Sequence, residues 1–160
     1  VQPVNPAIDQ VLAPIAGKYT MVYAYNGCDP ADPWKKYDPA APLFANDLTQ
    51  LQATQGFWIK VSTPGNLSVS GSIPVSVTQS LCAGWNLVSY PRPAAVAVGT
   101  ALTPILACTE IVYAYVAADR LDYWKKYAPA APPFANDLTE LKPGLGYWLK
   151  AKDACTWPLD

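Results

Sequence analysis

Residues 22–60 and 112–150 can be written one above the other without a gap, and 24 of the 39 positions are identical. This offset of 90 within a chain of 160 residues constrains the architecture more than any other feature, because like segments are expected to fold alike and to pack as a pair. The shared blocks are VYAY (22–25 and 112–115), WKKY (34–37 and 124–127), PAAP (39–42 and 129–132) and FANDLT (44–49 and 134–139). Behind them come residues 56–60 and 146–150, each a glycine, an aromatic, a tryptophan, an aliphatic and a lysine. Upstream, Pro3, Pro14 and Ile15 match Pro93, Pro104 and Ile105. Residues 81–91, LCAGWNLVSYP, have no partner, since their counterpart would fall before Val1. The expected organisation is a first repeat over residues 1–70, lacking its opening strand, and a second over 71–160.

Residues 19–25, 110–115, 56–61, 146–150, 66–70 and 85–90 are dense in β-branched and aromatic side chains, which predicts strands there. Residues 7–16 and 98–107 carry aliphatics at helical spacing, as in Val11, Leu12 and Ile15 and in Leu102, Ile105 and Leu106. Pro14 and Pro104 stand near their ends, so each is expected to be one short helix. The proline-punctuated stretches around WKKY and PAAP read as loops, because proline fixes φ and removes a backbone donor. The fold class expected is mainly β with short helices, in two pseudo-equivalent halves produced by internal duplication.

Hydrophobic residues make up 51% of the chain and charged residues 14%, enough apolar surface to order a core despite 17 prolines. The net charge of −1 and scattered lysines offer no basic field for nucleic acid. No apolar run approaches the length of a transmembrane helix, so membrane insertion is not expected. Four widely spaced cysteines in a chain without histidine speak for disulfides in an oxidising compartment rather than zinc. If strand 110–115 runs antiparallel to 146–152, the start of one lies beside the end of the other. Cys108 then meets Cys155, and Cys28 is left with Cys82.

Without histidine the usual Ser/His and Cys/His arrangements are unavailable, and no phosphate loop or nucleophile elbow is present. No catalytic residue is assigned and no enzyme is expected. Paired carboxylates recur as Asp29 with Asp32 and Asp119 with Asp122, with Asp47 and Asp137 further on. As hard oxygen ligands the first four are the candidates for calcium, although that ion wants six to eight oxygens; no other cofactor is implied. Asp47 and Asp137, with Asn46 and Asn136, read more simply as turn or cap residues. Trp34, Lys35 and Tyr37, with Trp124, Lys125 and Tyr127, are the candidate ligand-binding residues. Exposed aromatic faces stack on sugar rings, and two such sites would gain by avidity. The competing reading packs these rings under the proline-rich loops while the lysines reach solvent. Trp58, Trp85 and Trp148 lie in strand patterns and are core candidates.

GWNLVSYP, a short helix, VYAY, WKKY, FANDLT and PGLGYWLK together resemble a repeat seen at the ends of large secreted and surface proteins of Chloroflexi-type bacteria and some archaea. The first copy departs from that pattern in reading ATQGFW where the repeat has PGxGYW. The resemblance implies a non-catalytic extracellular module, structural, adhesive or assembling, whose partners are other domains of a larger surface protein or neighbouring copies. One alternative is a carbohydrate-binding module using the duplicated Trp and Tyr residues. Another is a filament or array subunit whose first half is completed by a strand from a neighbour.

Overall fold

The computed structural model describes residues 1–73 and 75–159 and is mainly β, with two short α-helices. In chain order the elements are β1 (Gln2–Pro3), α1 (Ile8–Val11), β2 (Tyr19–Tyr25), β3 (Trp34–Tyr37), β4 (Phe57–Val61), β5 (Gly71–Ser72), β6 (Thr78–Leu81) and β7 (Gly84–Ser89). They continue as β8 (Val96–Ala97), α2 (Val98–Leu102), β9 (Thr109–Tyr115), β10 (Trp124–Tyr127), β11 (Glu140–Leu141), β12 (Gly146–Ala151) and β13 (Cys155–Pro158).

Two antiparallel sheets organise these elements, in the orders β3-β2-β4 and β10-β9-β12-β7. Their registers repeat at an offset of 90 residues. Val22 faces Tyr37 as Val112 faces Tyr127, and Tyr23 faces Trp58 as Tyr113 faces Trp148. Both sheets carry an irregularity near the outer end of the central pairing. The bridge Ala7–Gln50 likewise corresponds to the β8–β11 pair Ala97–Glu140.

Strand alternation gives each sheet two unlike faces. On one face of the first sheet Val22 and Ala24 join Ile8, Val11, Leu12 and Ile15 in a buried cluster. In the second, Val112, Ala114, Tyr147 and Leu149 meet Val98, Leu102 and Ile105. Each helix is shorter than its aliphatic pattern and passes into a 3-10 turn, at Ala13–Ile15 and Thr103–Ile105. Pro14 and Pro104 are the second residues of those turns, where a missing N–H breaks no intrahelical bond.

The second core is larger, because β6 and β13 form a flap that the first half does not have among the described residues. The flap contributes Leu81, Trp157 and Leu159, and β7 contributes Val88. In the first half Val69 packs against the core, and the short strands β1 and β5 pair with each other. Residues 66–70 form no strand, contrary to the expectation from their composition; Ser70 O accepts the Val4 N–H at 3.3 Å, and the following Gly71–Ser72 pairs with Gln2–Pro3.

WKKY forms strands rather than loops, which corrects a second expectation. The prolines lie outside the four residues, and side chains of FANDLT supply partners along the outer edge. Asp47 Oδ1 accepts the Lys36 N–H at 2.6 Å, and Asn46 Oδ1 accepts the Asp38 N–H at 2.7 Å. Asp137 and Asn136 do the same for Lys126 and Ala128 at 2.6 and 2.9 Å. Asn46, Asp47, Asn136 and Asp137 are therefore strand-edge mimics, a form of the local side-chain to backbone bonding expected of these residue types.

Both disulfides form with the expected partners, Cys28–Cys82 with Cα atoms 5.3 Å apart and Cys108–Cys155 at 6.7 Å. Cys108–Cys155 closes the second half on itself, tying the start of β9 to β13. Cys28–Cys82 ties the β2–β3 loop of the first half to the residues leading into β7. The loop lies close there: a Cβ added at Gly27 would stand 2.1 Å from the Trp85 carbonyl oxygen. Among the described residues no helix is long and apolar enough to cross a membrane.

Candidate functional site: an aromatic seam between the halves

The second face of each sheet is aromatic. In the first half Tyr25 and Trp34 meet edge to face at 4.9 Å, with Tyr23 at 6.3 Å from Trp34. Tyr115 and Trp124 meet at 5.2 Å, with Tyr113 at 6.3 Å from Trp124. The two faces then reach across to each other reciprocally. Trp148 of β12 lies 5.1 Å from Tyr25 and 5.9 Å from Trp34, while Trp58 of β4 lies 5.0 Å from Tyr115 and 5.7 Å from Trp124. Each half thus sets one tryptophan against two rings of the other. Tilted and edge-on pairs of this kind contribute beyond their area.

The seam does not close. A groove of about 900 Å³ runs along β4, lined by Tyr23, Trp34, Trp58 and Lys60 on one wall and by Tyr115, Ala117 and Trp148 on the other. A smaller one of about 400 Å³ is lined by Trp85, Tyr113, Trp124 and Trp148. Trp34 and Trp124 remain 48% and 45% exposed, so ring surface is open to a ligand. Trp157 donates its indole N–H to Ala101 O at 3.0 Å. Among the described residues the indole N–H groups of Trp34, Trp58, Trp85, Trp124 and Trp148 have no protein acceptor. The site combines flat apolar faces with unengaged neutral donors, a chemistry suited to neutral polar ligands.

The sequence-predicted site residues are divided by strand alternation. Trp34 and Trp124 face the seam. Tyr37 and Tyr127 point the other way, against the buried clusters of their own halves. Lys35 and Lys125 also turn from the tryptophans, onto the aspartates. Lys125 Nζ lies 2.9 Å from Asp119 and 2.7 Å from Asp122; Lys35 contacts Asp32 and lies 3.8 Å from Asp29. Hydrogen bonds to Asp122 and then Asp119 hold the Lys125 ammonium protonated above the ordinary lysine range. The Lys125 hydrogen bond lowers the Asp119 carboxyl in turn. Partial burial works against ionisation of Asp137, yet the Lys126 N–H and further hydrogen bonds hold its carboxyl low. An ammonium already stands against each Asp pair, and a divalent ion would have to displace it. Among the described residues no group of three or more acidic or cysteine side chains is placed to hold a metal.

Trp58 and Trp148 are seam residues rather than core, and Trp85 is 37% exposed over Tyr113 and Trp148, at 6.1 and 6.2 Å. Sequence reasoning assigned Tyr23, Tyr25, Tyr113 and Tyr115 only to strands. Their signal was present in VYAY, where small apolar residues alternate with tyrosines and so predict one packed and one aromatic face.

Compared with protein-family models, with curated proteins and with solved structures, the chain matches none.

Proposed function

We propose that the chain is two copies of one roughly 90-residue module and acts outside the cell as a non-catalytic structural, adhesive or assembly element of a surface or secreted protein. The observation that carries this reading is the division of labour within each duplicated segment. The carboxylates are engaged by lysine, whereas the aromatic face keeps open ring surface and, among the described residues, indole N–H groups without a protein acceptor. Two disulfides support an oxidising compartment. The resemblance to repeats of secreted proteins points the same way, as does the absence of histidine.

The test is to titrate the oxidised chain with neutral polysaccharides and with extended peptides, following tryptophan fluorescence, while assaying glycoside, ester and peptide bonds for cleavage. Saturable binding without turnover is the expected result. Turnover that disappears in Asp122→Asn would contradict the reading.

Carbohydrate binding is the second reading, favoured by the half-exposed rings of Trp34 and Trp124 at the groove. On that reading Trp124→Ala weakens retention on the bound polysaccharide by about tenfold or more, as loss of an aromatic anchor does. Unchanged retention would dismiss it.

A further inference from the structure

We infer that the open edge of β4 is a docking site for an extended peptide strand of another polypeptide, running antiparallel to β4 and laying large apolar side chains on Tyr23 and Trp58. The inference rests on the reading of the chain as a binding and assembly module and names the partner class for its groove.

The molecule contains its own template for such a complex. β12 is flanked by β9 on one side and along its whole length by β7 on the other, from Gly146–Ser89 to Ala151–Gly84. β4 pairs with β2 as β12 pairs with β9. On its other edge β7 reaches only the approach to β4, through the Gln55–Val88 bridge. The bonds there are Gly56 N–H to Leu87 O at 3.2 Å and Ser89 N–H to Thr54 O at 3.0 Å. Among the described residues Phe57–Val61 has no strand partner besides β2. Gly146 packs against the Phe57 backbone, where a Cβ on it would stand 3.5 Å from Phe57 N, so the open stretch is Trp58–Val61. Unpaired edges of this kind are the usual targets of strand addition.

The larger groove lies along this edge, since four consecutive residues, Phe57, Trp58, Ile59 and Lys60, line it. A row of backbone donors and acceptors at strand spacing is matched by another backbone and by few other ligands. In the second half Trp85 of β7 rests on Tyr113 and Trp148, whose counterparts in the first half are Tyr23 and Trp58. Tyr23 is 38% exposed and open to receive an equivalent ring. The charges agree. Lys150 is paired with Glu110 at 2.9 Å, but Thr20 stands in the place of Glu110 in the first half. Among the described residues Lys60 therefore has no carboxylate partner, and the site accepts an uncharged or acidic strand.

Ala117 stands where Gly27 stands beside β7, and its methyl group narrows the groove wall. An incoming strand at the β7 position would meet that methyl near the residue opposite Lys60. Ala117→Gly is accordingly expected to tighten binding.

The test uses the full oxidised chain and a capped synthetic peptide of its own residues 84–91, GWNLVSYP. A scrambled peptide, and the same peptide N-methylated on alternate amides, serve as controls. Amide exchange and calorimetry are the readouts. The expected result is saturable binding that slows exchange over residues 57–61, falls about tenfold or more on N-methylation as backbone bonds are lost, and strengthens in Ala117→Gly. Binding unaffected by N-methylation or scrambling overturns the inference. So does an absence of protection over residues 57–61 at the highest soluble peptide concentration, or protection there by neutral oligosaccharide alone. The non-catalytic reading is decided separately, by turnover and by retention on polysaccharide, and survives a negative peptide result.

Discussion

The two halves share a pairing register, yet the second is closed and the first is not. β12 lies between two strands, and a flap carrying Trp157 seals the core beneath it. β4 has one full neighbour, and Leu67, at the position of Trp157, is 40% exposed. At the strand ends Ala151 is buried whereas its counterpart Val61 is 55% exposed. One sheet-and-helix plan therefore supports two degrees of completion. What separates them is whether a strand lies along the second edge, as β7 does on β12 and none does on β4 among the described residues. The seam compensates in part, because each half lends the other a tryptophan.

Truncating the flap is the most severe way to break the comparison. Trp157 is 1% exposed and its indole is hydrogen-bonded, so Trp157→Ala is expected to destabilise the chain by about 3–5 kcal/mol. Leu67→Ala at the equivalent position should cost less than about 1 kcal/mol. Equal losses in denaturant melts would mean that the halves are closed alike.

Removing the Cys28–Cys82 bridge by a double serine substitution is expected to cost about 2–4 kcal/mol, since it closes a long loop. Because that bridge joins the halves, its loss should also separate their unfolding. Calorimetry would then show two transitions where the oxidised parent shows one. Loss of Cys108–Cys155, internal to the second half, should lower stability without that splitting.

A gentler contrast compares Gly27 with Ala117. Gly27→Ala places a methyl against the Trp85 carbonyl and should cost about 1–3 kcal/mol, as overpacking does. Ala117→Gly meets no strand there and should change stability by less than about 1 kcal/mol. Matching penalties would indicate that both loops are pressed equally by a neighbouring strand.

The smallest effect is electrostatic. The hydrogen bond from Lys125 lowers the Asp119 carboxyl in the folded chain, so the unfolded chain binds its proton more readily. The associated stabilisation is present above the ordinary aspartate value and is lost as pH falls through the lowered one. Carboxyl NMR should place the Asp119 midpoint below that of an ordinary aspartate, and Lys125→Met should return it upward. An unchanged midpoint in the variant would remove Lys125 as the cause.

Much of this was legible in the sequence. The VYAY strands follow from local composition, and both disulfide pairings follow from running 110–115 antiparallel to 146–152. The WKKY strands were not legible, because the flanking prolines signal a break and the partners that prevent it, Asn46, Asp47, Asn136 and Asp137, act from eight to eleven residues away. Nor was the seam. The contacts of Trp58 with Tyr115 and of Trp148 with Tyr25 join residues of different halves, and no local pattern encodes such a docking. Residues 66–70 carry strand composition but end against the first core as an irregular cover, where packing of Val69 outweighs propensity.

Residue-resolved amide exchange on the unliganded, oxidised chain tests the central claim most directly, by comparing β4 with β12. Flanked on both sides, β12 should exchange slowly along its length, while β4 should alternate, with the amides directed toward β2 slow and those directed to the groove fast. Uniform slow exchange along β4, equal to that of β12, would contradict the account.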